Sequence, residues 1–338
     1  MAARYVVRSA SINGFFAEVG EHAEPILREV GVDPDQLSVA DNPIEIGQLH
    51  QMLALAASRL NRPDLGMRLA QHQSVGDLGL LGKVLSCAAT LREAFAIAQR
   101  YMSLHSSAEH WQLHQFAGRV QVARVELGQS DHQAQQYHEM ALAGFHRMSC
   151  LLSGEQLRPL RVTFAHSQVG PMKLYQQHFG CEVRFDQEHD SLSYPAAVFR
   201  RPLPVLAHGH KVERAGYIQA ARDQLEENLE LNIRNLITEL LGLKEISVNS
   251  IAALLNLHPR SLQRRLKQEH LVFRDLLQDV RVNLACWHLQ ASRCDITSLS
   301  DMLGYSDLSS FSRAFRRRMG VSPAQWRQRV KVDAVAPC

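Results

Sequence analysis

Two clusters of hydrogen-bonding side chains recur toward the end of the 338-residue chain: Arg260, Gln263 and Arg264, then Ser309, Ser312 and Arg313. Arginine can pair bidentately with guanine, glutamine with adenine, and a serine hydroxyl with base or phosphate. Such chemistry requires the polar groups to share one outward face. Their neighbours supply it, because Leu262 with Leu266 and Phe311 with Phe315 stand at i, i+4 and turn inward on a helix. Backbone N–H groups in the first turn of such a helix would add donors for phosphate. Arg316, Arg317 and Arg318 follow as a charge run that reads equally as phosphate contacts or as a solvated face.

The two clusters belong to two copies of one pattern, IAALLNLHPRSLQRRLKQE (251–269) and LSDMLGYSDLSSFSRAFRRRMG (299–320). The offset is 48 residues ahead of the turn and 49 after it, one residue being inserted in the second turn. Each copy reads as helix, tight turn, helix. Gly304 supplies the positive φ that such a turn requires, and Asn256 takes its place in the first copy, asparagine being the next best tolerated there. From residue 235 onward the chain holds 15 Lys and Arg against nine Asp and Glu, while the remainder is mildly acidic within an overall net charge of +3. A basic end on an acidic partner domain points to a polyanion, although charge alone suits RNA or an acidic membrane surface as well.

The preceding part must position and control this end. Residues 1 to about 105 read as helical: Ile46, Leu49, Met52, Leu53, Ala56 and Leu60 keep helical spacing, as do Leu91, Ala94, Phe95, Ala98 and Met102 behind a Thr90–Glu93 capping pattern. Glycines 76, 79 and 82 make the helix between them begin late and pack closely. Residues 110–127 alternate through Trp111, Leu113, Val120, Val122 and Arg124 around Ala117-Gly118, the pattern of a hairpin. A helix over 131–152, a strand at 160–165, a short helix at 171–179 and strands at 181–185 and 191–195 complete an α+β domain with a mostly antiparallel sheet. The stretch 199–214 reads as a boundary, and 216–242 as one or two connecting helices.

Other chemistries find little support. Six scattered cysteines lack any CxxC spacing and read as free thiols. Seventeen histidines include His105, His110, His114, His132, His138 and His146 in the middle, but no HExxH or CxxC accompanies them, so no metal and no cofactor is expected. Glu126 and Glu139 stand near these histidines without a paired carboxylate, nucleophile elbow or phosphate loop, so an enzyme is not expected. No run of 18 uncharged apolar residues suggests a membrane span and the N-terminus lacks a signal-peptide core, giving a cytoplasmic, nucleoid-associated expectation. Trp111, Phe116, Tyr137 and Phe145 read first as core; an effector pocket, if present, belongs between the sheet and the 131–152 helix, which makes these four its candidate lining.

DMLGYSDLSSFSRAFRRRMGVSPAQWR (301–327), with Gly304, Tyr305, Ser310, Phe311, Arg313, Phe315, Arg316, Gly320, Pro323 and Arg327, resembles the DNA-binding domain of the AraC/XylS family of bacterial transcription regulators. RSLQRRLKQE (260–269) and FRDLLQDVRVNLA (273–285) resemble its first unit and connecting helix. The resemblance implies an all-α domain of seven helices, with two helix-turn-helix units joined by a long helix near 275–292. The two readers would enter successive major-groove segments roughly one turn (~34 Å) apart. Its base-facing positions fall on Arg260, Gln263, Arg264, Leu308, Ser309, Ser312 and Arg313, with Leu308 limited to apolar contact and Arg316 toward phosphate. Asn256 and His270 depart from glycines usual in the family.

YQQHFGCEVRFDQEHDSLSYPAAVFRRPLP (175–204) resembles the effector domain of the AraC-type subgroup that includes ornithine-utilisation-type regulators. Domains are accordingly expected at 1–205 (effector sensing and dimerisation), 206–236 (linker helices) and 237–332 (DNA binding), with a tail at 333–338. The resemblance implies promoter DNA, RNA polymerase and a small-molecule effector as partners, a homodimer, no membrane, and activation as the commoner role. Three alternatives remain at this stage: a repressor or dual regulator whose first domain only dimerises, an enzyme fused to a reader, and an architectural binder without sequence preference. The ungrouped cysteines disfavour the enzyme, and Gln263 with the serines disfavours the architectural binder.

Overall fold

The computed structural model describes residues 5–38, 42–127, 132–204, 210–241, 246–291 and 294–333. The expected tail beyond 333 and the start of the expected linker, 206–209, lie outside the described residues. The chain divides into two compact units between Asp223 and Gln224.

In the first unit, strands β1 (Val6–Arg8) and β2 (Pro43–Glu45) form a small antiparallel pair. Helices α1 (Phe15–Val19), α2 (Ala23–Glu29) and α3 (Pro34–Ser38) lie between them in sequence. There follow α4 (Ile46–Arg59), α5 (Leu65–His72), α6 (Leu80–Leu85) and α7 (Leu91–Tyr101). The late start of α6 has a local cause: Gly79 holds φ +58°, and a Cβ on Gly82 would come within 1.9 Å of the Val75 carbonyl oxygen. Thr90 caps α7 by accepting from the Glu93 amide at 3.2 Å, while Glu93 reaches back to the Ala89 amide at 2.7 Å.

Strands β3 (Glu109–Phe116) and β4 (Arg119–Glu126) form the expected hairpin, turning at Ala117-Gly118. The long helix α8 (Gln135–Ser153), β5 (Arg161–Thr163), α9 (Met172–Phe179), β6 (Glu182–Arg184) and β7 (Asp190–Pro195) follow. The five-stranded sheet has order β3-β4-β7-β5-β6; only β5 and β6 run parallel among its described pairs. α8 packs on α4, α5 and β7, and the core gathers around it through Leu142, Ala143, Val122, Leu192 and Tyr194, all buried.

Helix α10 (His210–Glu227) carries the division between units, and α11 (Leu229–Leu240) begins the second after Asn228, whose side chain caps it. The second unit is helical among its described residues: α11, α12 (Val248–Leu254), α13 (Pro259–Gln268), α14 (Phe273–Ala291), α15 (Ile296–Met302), α16 (Leu308–Met319) and α17 (Pro323–Asp333). α14 is its spine and packs on α11, α16 and α17. Phe311 and Phe315 are wholly buried; side chains of this size contribute about 1.5–3 kcal/mol each. No helix among the described residues is long and apolar enough to cross a membrane.

Candidate nucleic-acid interface and effector cavity

The two helical turns are superposable in their hydrogen bonds. Leu255, Asn256 and Leu257 donate to Ile251, Ala253 and Ala252 at 3.0, 3.2 and 2.8 Å; 48 residues later Leu303, Gly304 and Tyr305 repeat the pattern to Leu299, Asp301 and Ser300 at 3.0, 2.9 and 3.1 Å. Past the turn the offset becomes 49, with Leu262 donating to His258 at 3.1 Å and Phe311 to Asp307 at 3.2 Å. Asn256 takes φ +53° where Gly304 takes +71°, and His270 takes +57° after the first reading helix where Gly320 takes +75° after the second. Both departures therefore keep the left-handed backbone that glycine ordinarily fills.

Arg260, Gln263 and Arg264 are exposed on α13, opposite the buried Leu262 and Leu266. On α16, Leu308, Ser309, Arg313 and Arg316 are exposed and Ser312 is half-buried, opposite Phe311, Ala314 and Phe315. Asp307 caps α16 by accepting from the Ser310 amide and hydroxyl, both at 2.7 Å. Those bonds draw the Asp307 carboxyl down to about 2. Ser310 in turn accepts from Arg313 at 3.1 Å, which steadies the arginine along the helix. The first-turn amides are thus partly committed within the chain, Ser310 to Asp307 and Arg260 to His258 at 3.3 Å, rather than all being open to phosphate.

The spine fixes the second reader. Arg281 on α14 donates to the Gly304 carbonyl at 2.8 Å and lies 4.8 Å from the centre of the Tyr305 ring, while Gln278 donates to the Tyr305 hydroxyl at 2.5 Å. Asp279 pairs with Arg234 of α11 at 3.3 Å and with Arg318 of α16. Arg318 therefore has a partner within the chain, while its side chain remains exposed. Sequence reasoning missed these α14 residues because their partners lie 20 to 45 positions away.

The first unit contains a partly open cavity of about 120 Å³. Trp111, Tyr137 and Phe145 line it, as do Leu81, Phe95 and Met148. Trp111 stacks on Phe145 with ring centres 4.9 Å apart, and Phe95 meets Phe145 edge-on at 6.2 Å. Phe116 is elsewhere: it ends β3, is 45% exposed, and carries the Arg119 guanidinium 4.9 Å over its ring. Its expected place in an effector pocket is corrected accordingly. Alternation along β3 puts Trp111 and Phe116 on opposite faces, being five residues apart.

Beside the cavity lies a buried ionic network that the sequence did not announce. Arg124, wholly buried, donates through Nε to Glu109 at 2.9 Å, through Nη2 to Glu126 at 2.6 Å and through Nη1 to Asp190 at 3.2 Å. Its guanidinium lies 4.9 Å from the centre of the Tyr137 ring. His138 bridges Glu126 at 3.0 Å and Asp190 at 3.1 Å. Burial works against the His138 charge, yet the Asp190 carboxylate and the bonds to both acids push it up to about 9. Against the same burial, His50, His138 and Arg124 hold Glu126 down to about 2, and His138, Arg124 and His166 keep Asp190 well below the usual carboxylate range. Glu109 and Tyr137 belong to both the network and the cavity wall. A further buried acid, Glu139, accepts from the Tyr175 hydroxyl at 2.7 Å, and burial pushes its carboxyl up to about 8.

The tandem helix-turn-helix unit and the separate α+β unit define a two-domain transcription regulator, not an enzyme. Residues 20–203, more than half of the chain, match the arabinose-binding domain of AraC transcription regulators, and residues 251–329 match a helix-turn-helix domain. The chain belongs to the AraC family of transcription regulators. It is 29% identical over 328 residues to the HTH-type transcriptional regulator VirS of Mycobacterium tuberculosis, covering 95% of this chain and 96% of that one. It is 27% identical over 317 residues to the ornithine utilization regulator of Pseudomonas aeruginosa, covering 92% of each. Among solved structures, the transcriptional regulator CdpR of Pseudomonas aeruginosa matches at 22% identity with a TM-score of 0.43, over 90% of this chain and 96% of that chain.

Proposed function

We propose that the protein is a sequence-specific activator of transcription whose DNA affinity is set by a small molecule bound in the first unit. The observation that carries this reading is the cavity whose wall shares Glu109 and Tyr137 with the buried Arg124 network. An occupant that moves either residue alters a network in which several charges must stay paired, so binding energy has a discrete arrangement to act upon. In the second unit, Arg260, Gln263 and Arg264 are assigned to one major-groove segment, and Leu308, Ser309, Ser312 and Arg313 to the next, with Arg316 on phosphate. Domains at 1–205 and 237–332 joined by the helices of 206–236 are part of the same proposal. Positive control, contact with RNA polymerase and a homodimeric state rest on the family resemblance.

The test is the affinity of the full chain for a selected duplex site with the cavity empty and filled. Control by an effector requires a change of about 5-fold or more, the range of ordinary allosteric coupling. Equal affinity in both states, with the first unit serving only to hold two copies together, would overturn it.

A further inference from the structure

We infer that the cavity takes a neutral, mainly hydrocarbon ligand of aromatic size bearing one hydrogen-bond acceptor, rather than a sugar, an amino acid or a carboxylate. The inference rests on the effector reading above and names the chemistry of its ligand. The walls are predominantly apolar, with leucines 78, 81, 85 and 91 facing the aromatic group of Trp111 and Phe145. Dry apolar cavities of on the order of 100–150 Å³ accept benzene-sized solutes, and this one measures about 120 Å³.

The polar groups in the wall are already engaged with one another. Ser11 and His105 hydrogen-bond at 3.0 Å, Gln73 donates to the Ser11 carbonyl, Glu109 accepts from Arg124 at 2.9 Å, and Ser149 donates to the Phe145 carbonyl at 2.9 Å. Tyr137 is bonded to Ser106. The indole N–H of Trp111, a cavity-lining side chain only 4% exposed, has no hydrogen-bond partner among the described residues. Buried donors without partners are rare and costly, so an acceptor carried by the ligand is the natural complement. A pentose or zwitterion would bring several polar groups to a wall that is mostly apolar. No Lys or Arg stands among the described residues lining the cavity, and the one acid there, Glu109, would repel a carboxylate.

The experiment titrates the full chain with methyl benzoate, n-propylbenzene, benzoate and L-arabinose, reading tryptophan fluorescence and heat. Both neutral aromatics are expected to bind, with benzoate weaker than the ester by more than about 100-fold. Trp111→Phe keeps an aromatic ring and removes the donor together with the pyrrole part of the indole. It is expected to weaken methyl benzoate about 2- to 10-fold and to leave n-propylbenzene unchanged, which also shows that the variant retains its cavity. Tighter binding of benzoate or arabinose than of the ester, equal loss of both neutral probes in Trp111→Phe, or binding by none of the four would overturn the inference. Affinity for the selected DNA site is read in parallel. Neutral probes that bind without changing it contradict effector control and leave the ligand class standing, whereas arabinose that changes it does the reverse.

Discussion

Arg281 donates to the carbonyl of Gly304 across 2.8 Å, so the helix between the two readers holds the turn of the second one from behind. The same guanidinium covers the Tyr305 ring, and the neighbouring Asp279 reaches Arg318 at the far end of α16. The second reading helix is therefore fixed at both ends by one spine.

Arg281→Met should keep the alkyl packing and lose the carbonyl bond and the ring contact. A destabilisation of about 1–2 kcal/mol is expected in denaturant unfolding. Base preference should be relaxed at the positions read by α16 and retained at those read by α13, a contrast that site selection measures directly.

Gly304→Ala places a Cβ 3.1 Å from the Arg281 guanidinium on a backbone with φ +71°. It should cost about 1–2 kcal/mol. Asn256→Gly at the equivalent position should be neutral within about 0.5 kcal/mol or slightly stabilising, because asparagine already adopts the left-handed form there under strain. Melting temperatures of the two variants check the asymmetry.

Arg316 and Arg318 of the charge run should separate. Arg316→Ala is expected to weaken binding to all duplexes and lower the salt slope by about 0.9. Arg318→Ala should lower thermal stability through the loss of the Asp279 pair and leave that slope almost unchanged. Filter binding across a salt series, with melting curves alongside, distinguishes them.

Stability should fall on the alkaline side for two buried reasons. His138 is raised from 6.5 to about 9 in the folded chain, so its contribution is full below the unfolded value and disappears as pH climbs through 9. Glu139 is raised from 4.5 to about 8, so the folded state holds an extra proton and loses stability as pH rises across that interval. Glu139→Gln should flatten the curve between pH 4.5 and 8. His138→Gln should flatten it between 6.5 and 9, each by about 1–3 kcal/mol of pH-dependent stability. His110, His146 and His178, each lowered to about 4 by burial, add stability as pH rises to 6.5, so urea midpoints from pH 6.5 to 10 test both; a wild-type curve that rises through that range would contradict them.

The readers were legible because helix periodicity and turn chemistry are local: Gly304, its stand-in Asn256, and the i, i+4 apolar pairs all act within one or two turns. His270 declared its left-handed backbone by standing where a glycine was expected. The hairpin and the cavity's Trp111, Tyr137 and Phe145 followed from alternation and from one helix facing one sheet. Phe116 misled although its odd spacing from Trp111 already set it on the other face of β3. The Arg124 network stayed hidden for another reason. Alternation put Arg124 on the inner face with Val120 and Val122, but Asp190 reaches it only through the β4–β7 register and His138 only through the packing of α8.

The central claim, that two unequal helices read two separate groove segments, is tested most directly by selecting duplex sites from random DNA with the full chain, Arg264→Ala and Arg313→Ala. Two blocks of base preference about 10 base pairs apart are expected. Arg264→Ala should relax one block and Arg313→Ala the other, each costing about 1–3 kcal/mol on the intact site. A single block, no preference over bulk DNA, or equal loss on every sequence in both variants would contradict it.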